Sequence, residues 1–559
     1  MIEVPVLVVG GGPVGLALAC ELGLRGTGCI LAEQRPGINE HPRANVVASR
    51  TMEHFHRWGI ADRVARAGLP LDYPVDIVFT TRLARREIFR FSFPSYEDCR
   101  SPSAAKLSQL PDLLQSRYFK TSVAQSDLEP VLLDFARSFD AVDVRFGWRL
   151  DDFTQDDDGV TARLTQSVTE ESLLVRCRYL VACDGGRSEV RARLGVSLDG
   201  EADLGQFVGV HFRSPDFMRR HALGRATLYW AMNRESPGVF IAINGRDTFT
   251  FQRSVAPGES VSSIRPLAAI QAAFDEPIEC EILSVQPWKA HQLVAERLRI
   301  GRVFIAGDAA HLFVPTGGFG MNTGIGDAVD LGWKLAAVID GWGGAALLDS
   351  YHAERHPVAV RNTTEAADNY RKIRPAFARA QDAEAPDTLG ASARSEIARG
   401  IAEGAKHFAA TGIHLGYRYE SSPVCIPDGT PSPPDDPQVY VPTSRPGSRA
   451  PHVMLDDGRS ILDLFGAGFT LIRTGEGDAD RDEALFVNAG RELGIPVSFQ
   501  ALGDAQVARL YERRFVLVRP DGHVAWRGDQ PPVDVAALLR RVAGHDEAGA
   551  TPPNPETAL

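Results

Sequence analysis

The chain opens on an apolar run, Pro5 to Val9 (PVLVV), that lacks the alternation of a half-exposed strand and is therefore expected in a sheet covered on both faces. It leads into GGGPVG, a helical stretch from about Val14 to Leu24, and a second apolar run, CILAE. Strand, turn, helix, strand is the opening of a parallel α/β unit. The pattern then changes several times. A helical stretch is expected around 107–138, containing SVAQSDLEPVLLDFA, and VRFGWRLDDFTQDDDGVTARLTQ alternates about a DDDG turn as a hairpin would. CRYLVACDGG reads as an apolar strand ending in a glycine turn. From about Glu201 to Val285 strand-like segments broken by Gly, Pro and Asn predict an antiparallel sheet. RVFIAGDAAH returns to a buried strand, followed by a helix from about Asn322 through LGWKLAAVIDGW and amphipathic helices to about residue 410. A Pro-rich joint, CIPDGTPSPPDDPQ, precedes alternating strands and helices to about residue 544, and the tail EAGATPPNPETAL has the composition of a disordered segment.

At 559 residues the chain is too long for one core, and two to four domains are expected. The formal net charge of −12 argues against a nucleic-acid partner, which would need clustered Lys and Arg. The 7 cysteines are scattered and never C-x-x-C, a pattern of reduced thiols in a cytoplasmic protein rather than of a disulfide framework or zinc site. No metal is expected, because neither H-E-x-x-H nor a Cys/His cluster occurs. The first strand begins by residue 5, so no cleaved signal is expected, and no apolar stretch approaches the roughly 18 residues of a spanning helix, so none is expected.

Gly10, Gly12 and Gly15 stand at G-x-G-x-x-G spacing directly after a strand and open a helix. The first permits a tight turn, the second lets a pyrophosphate approach the backbone, and the third lets helix and sheet pack closely. Pro13 and Val14 begin the helix whose N-terminus would face the phosphates. Glu33, about 20 residues on and followed by Gln34, is placed to accept ribose hydroxyls. This context predicts a dinucleotide but does not separate FAD from NAD. A second glycine-rich loop, Pro315 to Asn322 (PTGGFGMN), also opens onto a helix and can present several backbone N–H groups to one anionic edge of a ligand.

The order of GGGPVG with Glu33, HPRANVVASRTMEHFHRWGI, YLVACDGGRSEVR, GRVFIAGDAAHLFVPTGGFGMNTGIGDAVDLGWKLA and LVRPDGHVAWRGD resembles the class A flavoprotein monooxygenases of the para-hydroxybenzoate hydroxylase fold. The likeness is to the phenol hydroxylase-like branch with a C-terminal thioredoxin-like domain, and its motifs look closest to indolocarbazole-pathway flavin hydroxylases. It implies an α/β architecture: an FAD-binding Rossmann-like domain of glutathione reductase type from segments 1–75, 100–190 and 295–370, an inserted antiparallel β-sheet substrate domain from 76–99 and 191–294, a helical region and linker at 371–429, and a thioredoxin-like domain at 430–544, before the tail at 545–559.

The resemblance also implies roles. Asp308, in the GD motif, would bind ribityl or ribose hydroxyls; Asp184, Gly185 and Arg191 form the D-G…R motif; Gln125 and Arg43 would lie beside the flavin pyrophosphate. Pro315 would lie over the flavin, and Gly318, Gly320, Met321 and Asn322 would present the loop that stabilises its reduced, anionic form. NADPH or NADH would reduce FAD, and oxygen would pass through a flavin C4a-hydroperoxide to an aromatic substrate. Baeyer–Villiger insertion, decarboxylative oxidation and a non-catalytic ligand-binding role are alternatives on the same fold. Asn45 stands where phenol hydroxylases of this branch often carry Asp or His; an amide cannot take a proton, so the base lies elsewhere, the substrate needs none, or Asn45 only orients a hydroxyl. In the inserted sheet the candidates for touching substrate are His211, Arg225, Tyr229, Trp230 and Arg253. His311 is expected to be a structural partner of its loop. The C-terminal domain has no cysteine after Cys425, which excludes dithiol chemistry and leaves an interaction role such as supporting a homodimer.

Overall fold

The computed structural model describes residues 1–100, 114–404, 408 and 410–545. The tail from 546 and the first part of the helix expected around 107–138 lie outside the described residues. Within them that helix starts at Gln125 and runs to Arg137, later than the pattern suggested, because Thr121–Ser122 is drawn into a two-stranded ladder with Val46–Val47.

The first sheet runs in the order 299–300, 303–305, 172–182, 2–9, 29–33, 142–146. Strand Ile2–Val9 is paired in parallel on both sides, with Val8 opposite Val181 and Leu31. Its residues Val6, Leu7 and Val8 have no exposed surface, which accounts for the unbroken apolar run. The helix Pro13–Gly23 is buried from Val14 onward, packed between this sheet and the helices Gln125–Arg137 and Gly320–Ile339. The hairpin Trp148–Gln155 with Val160–Gln166 extends the sheet antiparallel, along the first half of Ser172–Ala182.

The second sheet has eight strands in the order 311–312, 281–295, 198–213, 248–254, 238–242, 228–231, 77–80, 87–91. It is antiparallel except at one place, where Leu228–Ala231 runs parallel to Ile77–Thr80. The exception is allowed by connectivity: Ile77–Thr80 and Leu228–Ala231 come from separate visits of the chain to this sheet and are not joined by a hairpin. Val208, Val210, Phe212, Tyr229, Phe240, Phe249 and Phe251 fill one face, closed by the helix Pro266–Phe274. The opposite face packs against Val314 and Phe319 and against the helices Ala345–Ala378 and Thr388–Glu403. A third sheet, in the order 497–502, 469–474, 515–518, 524–528, carries the helices Ala479–Leu493, Ala505–Tyr511 and Val535–Val542. No helix among the described residues is long and apolar enough to cross a membrane.

Candidate active site

Parallel pairing aligns Val9 with Ala182 and Ala32, and Ala182 with Ile305. The turn at Gly10, Glu33, the Cys183–Gly185 turn and the Gly307–Asp308 turn therefore all leave the sheet at one end, where ligands of open parallel sheets bind. Segments hundreds of residues apart are thus gathered by register alone.

The glycines in these turns are required by their contacts. Gly10 has φ +109° and sits against the Cys183 carbonyl, where a Cβ would lie at 2.2 Å; a Cβ on Gly15 would lie 2.0 Å from the Gly10 carbonyl. At Gly12, by contrast, a Cβ would meet nothing within 4 Å, so the helix N-terminus at Pro13 opens onto free space with no side chain capping it. Glu33 is buried; its Oε2 accepts the Gly11 N–H at 2.7 Å, and its Oε1 accepts both the backbone N–H and Nε of Arg35 at 2.9 Å. Burial alone would raise its carboxyl, but these bonds hold it below the usual range. Gln34 beside it is exposed. Asp184 lends one oxygen to the Val190 N–H at 3.2 Å and keeps Oδ1 buried and unpartnered, so burial raises its carboxyl. Arg191 is occupied by the carbonyls of Ala309 at 2.7 Å and Gly186 at 3.0 Å, which ties the Gly185 turn to the Asp308 turn.

Asp308 has no hydrogen bond or ion pair among the described residues, and its surface is open although protein encloses it. Burial raises its carboxyl, opposed by His311 and Arg43. Behind it, Asp327 accepts the Gly307 N–H at 3.1 Å, His311 Nε2 at 2.7 Å and Arg355 Nε at 2.8 Å, all fully buried. Burial would raise Asp327; the charges of His311 and Arg355 outweigh it and hold the carboxyl low. His311 thus serves its loop from behind.

The loop after Pro315 turns through Gly317 (φ +87°) and Gly318 (φ +69°) into the helix Gly320–Ile339, which also lacks a side-chain cap. Its first-turn N–H groups, on Gly320, Met321 and Asn322, precede the intrahelical ladder. The Asn322 side chain is fully used. Its Oδ1 accepts the Ala48 N–H at 2.8 Å and the Thr51 hydroxyl at 2.7 Å, while its Nδ2 donates to the carbonyls of Val46 at 2.9 Å and Gly318 at 2.7 Å. It locks the loop to the segment that carries Arg43 and Asn45. Arg43 is exposed and reaches Gln286 Oε1 at 3.5 Å; Asn45 is half-buried with Nδ2 unpartnered; Gln125 donates to Glu129 Oε1 at 2.6 Å.

The inner face of the second sheet covers this loop. Phe207, Gly209 and His211 alternate with the core-facing residues and stand beside Ser254, Gln252 and Thr250 on one neighbour and Trp288, Gln286 and Ser284 on the other. Phe207 and Ala290 pack against Val314 and Phe319. Buried His41 joins the walls, its Nδ1 2.7 Å from the Ser284 hydroxyl and its ring edge-on to His211 at 6.2 Å; burial, then His211 and Arg43, push it down to about 4. His211 and Trp230 lie on this inner face. Tyr229 is inside the apolar core on the other face, its hydroxyl donating to the Gly224 carbonyl at 2.7 Å; Arg253 is paired with Glu259, and Arg225 is exposed and paired with Asp72 at 3.0 Å. Gln252, Gln286 and Trp288 carry no sequence signal beyond the period of two along each strand, and His41 opens the stretch HPRANVVASRTMEHFHRWGI with no mark of its own.

A flavin dinucleotide fits these residues: two uncapped helix N-termini, the open approach at Gly12, the unpartnered carboxylate of Asp308 and the unpartnered Asp184 Oδ1 supply the donors and acceptors it needs. The comparisons agree. Residues 3–366 match the FAD binding domain family, and residues 443–545 match the family described as aromatic-ring hydroxylase, C-terminal. Aklavinone 12-hydroxylase RdmE of Streptomyces purpurascens is 36% identical over 97% of this chain and 98% of its own length. The tetracenomycin B2 monooxygenase-dioxygenase of Streptomyces olivaceus is 36% identical over 96% and 97%. Among solved structures, the rebeccamycin biosynthetic enzyme RebC with reduced flavin superposes with a TM-score of 0.86 at 35% identity, covering 98% of this chain and 100% of that one. The flavin-dependent monooxygenase PieE, in complex with FAD and substrate, superposes with 0.87 at 32% identity, covering 97% and 99%. With its sheet-end turns, its glycine-rich loop Pro315–Asn322 and these relatives along nearly its whole length, the chain belongs to the class A FAD-dependent aromatic hydroxylases.

Proposed function

We propose that this monooxygenase hydroxylates a fused-ring, polyketide-like phenol lying between the loop Pro315–Asn322 and the inner face of the second sheet. The observation that carries this reading is the breadth of that face. Five neighbouring strands present Trp288, Phe207, Gln252, Val239 and Trp230 on one face, half-buried except for Phe207, which is buried, among the polar side chains of His211, Thr250, Ser254, Ser284 and Gln286. Relatives named for aklavinone and tetracenomycin support it. FAD, when bound, supplies reduction by NADPH or NADH and activation of oxygen. The protein's own work is to hold the cofactor through Gly12–Gly15, Glu33, Asp184 and Asp308, to exclude water with the sheet, and to orient the ring near Asn45 and Pro315.

The proposed division of the chain is a discontinuous cofactor unit (1–75, 100–190, 295–370), a substrate unit (76–99, 191–294), a linker (371–429) and a thioredoxin-like unit (430–544). The last is supported by its strand order, with one parallel pair, Phe469–Thr474 with Val497–Leu502, followed by an antiparallel hairpin and a closing helix. The test of function is NADPH and NADH consumption by the flavin-loaded protein against a panel of simple phenols and fused-ring phenols, with peroxide release and product structure measured. Fused-ring compounds should accelerate oxidation without matching peroxide and gain a ring hydroxyl; acceleration only by monocyclic phenols, or a ring-inserted product, would sink the reading.

A further inference from the structure

Lys120 stands one residue before Thr121–Ser122, the short strand paired with Val46–Val47; Val46 in turn packs against Gly318 of the flavin-directed loop. Among the described residues its ammonium has no carboxylate partner. It donates to the Phe408 carbonyl at 2.7 Å and lies 3.9 Å from the ring centre of Phe93 and 5.7 Å from that of Phe119. Phe408 carries the site onward to the inner face of the sheet, 5.8 Å from Phe79 and 6.3 Å from Trp230 between ring centres. On the other side stands His414, whose ring is edge-on to Phe319 of the flavin-directed loop at 5.8 Å and whose Nε2 is buried without a hydrogen-bond partner. Lys120 and His414 each keep part of their surface accessible although protein is packed densely around them.

A charge held in such surroundings with only a carbonyl and aromatic faces is unfavourable unless something else supplies the opposite charge. We propose that Lys120 is a substrate-binding residue that takes the proton of a phenolic hydroxyl on the aromatic ring and holds the resulting oxyanion. The inference rests on the fused-ring phenol reading above. The step is a simple proton transfer: the phenol O–H bond breaks, an N–H bond forms on the amine, and the electron pair left on oxygen raises the electron density of the ring, as attack by an electrophilic oxygen requires. Geometry makes it feasible and electrostatics favour it, since burial pushes Lys120 down to about 7, where a neutral amine is available near neutral pH. The titratable group facing it is His414, driven down to about 3 by burial, then Lys120 and Arg361, and therefore neutral while Lys120 exchanges its proton.

The test uses FAD-loaded enzyme and alizarin, a fused-ring phenol whose visible band shifts on ionisation, titrated across pH with wild type, Lys120→Met and Lys120→Arg. In wild type the bound dye should ionise at a pH lower than free dye by about one unit or more. Lys120→Met should abolish that shift with FAD content and thermal midpoint retained, and Lys120→Arg should keep the bound dye anionic. A dye that binds wild type without a shift, or a shift that survives in Lys120→Met, overturns the assignment of Lys120 alone. Failure of alizarin and other fused-ring phenols to bind wild type overturns the substrate reading and this inference with it.

Discussion

On the cofactor side of the site, the turns at Gly10–Gly15, Gly185 and Gly317–Gly318 offer backbone groups, and their side chains are absent or turned to structural duty as in Asn322 and Arg191. On the sheet side, Phe207, His211, Gln252, Trp288 and Trp230 offer side chains from strands whose backbone is spent on the ladder. The difference teaches where each kind of change is felt. A backbone-lined wall tolerates almost no added atom, since the backbone cannot step aside; a side-chain-lined wall can be re-surfaced while the sheet beneath stays intact.

The strongest way to break this contrast is Gly15→Val, whose Cβ would fall on the Gly10 carbonyl: flavin content of purified protein should drop at least about tenfold, equivalent to ~1.4 kcal/mol or more. Wild-type flavin content in that variant would mean the turn is not the cofactor's seat. Next comes Arg355→Met, which leaves Asp327 and its clasp on Gly307 with a buried uncompensated charge; denaturant unfolding should show a loss of about 3–5 kcal/mol. Asp308→Ala removes a carboxylate that has no structural partner, so FAD binding should weaken by roughly 2 kcal/mol, about 30-fold, with little change in the thermal midpoint of the apoprotein.

Where the walls meet, His41 sharpens the comparison through pH. Its folded value, about 4, lies below the ordinary 6.5, so its contribution to stability is fully present above pH 6.5 and is lost as pH falls toward 4, when the unfolded chain takes up the proton first. His452 and His523, also held near 4, act in the same direction. Thermal midpoints should fall across that window, less steeply in His41→Phe; a flat profile would contradict the burial of these rings. The smallest effect belongs to the sheet side: Gln252→Leu, which breaks the bond from Trp288 Nε1 at 3.0 Å, should raise KM a few-fold, within about 1 kcal/mol, and leave FAD content unchanged.

The same contrast decides what could be read from the residues alone. Gly10, Gly15 and Glu33 were legible because a positive φ, a 2.0 Å approach and a bond to the Gly11 N–H each demand one residue type at one spacing. His211, Gln252 and Trp288 had no such mark: they are neighbours only through antiparallel register, and any half-exposed strand shows their alternation. Lys120 belongs to no motif at all, and His41 opens the family stretch HPRANVVASRTMEHFHRWGI without any role attached to it. LVRPDGHVAWRGD was legible as a family stretch without its reason. The structure shows it in Arg519, which is fully buried and bonded to Asp330 at 3.0 Å, Glu354 at 2.6 Å and Asp521 at 2.7 Å, so the C-terminal unit is keyed into the helices behind the Asp308 turn.

One of those helices, Ala345–Ala378, touches the C-terminal sheet region, the helix Gly320–Ile339 and the inserted sheet. Glu354 meets Arg519, Asn362 meets Thr323 at 3.0 Å, and Arg371 meets Glu201 and Gln292 on the inserted sheet. Because each residue advances the helix by about 100°, these attachments leave it in different directions, Asn362 about 80° and Arg371 about 260° round from Glu354, and their relative angles are set by the number of residues between them. Inserting or deleting a single residue between Glu354 and Arg371 would turn one end out of register with the other. Chimeras that exchange the inserted sheet between relatives must therefore preserve the residue count of this segment, whatever its composition.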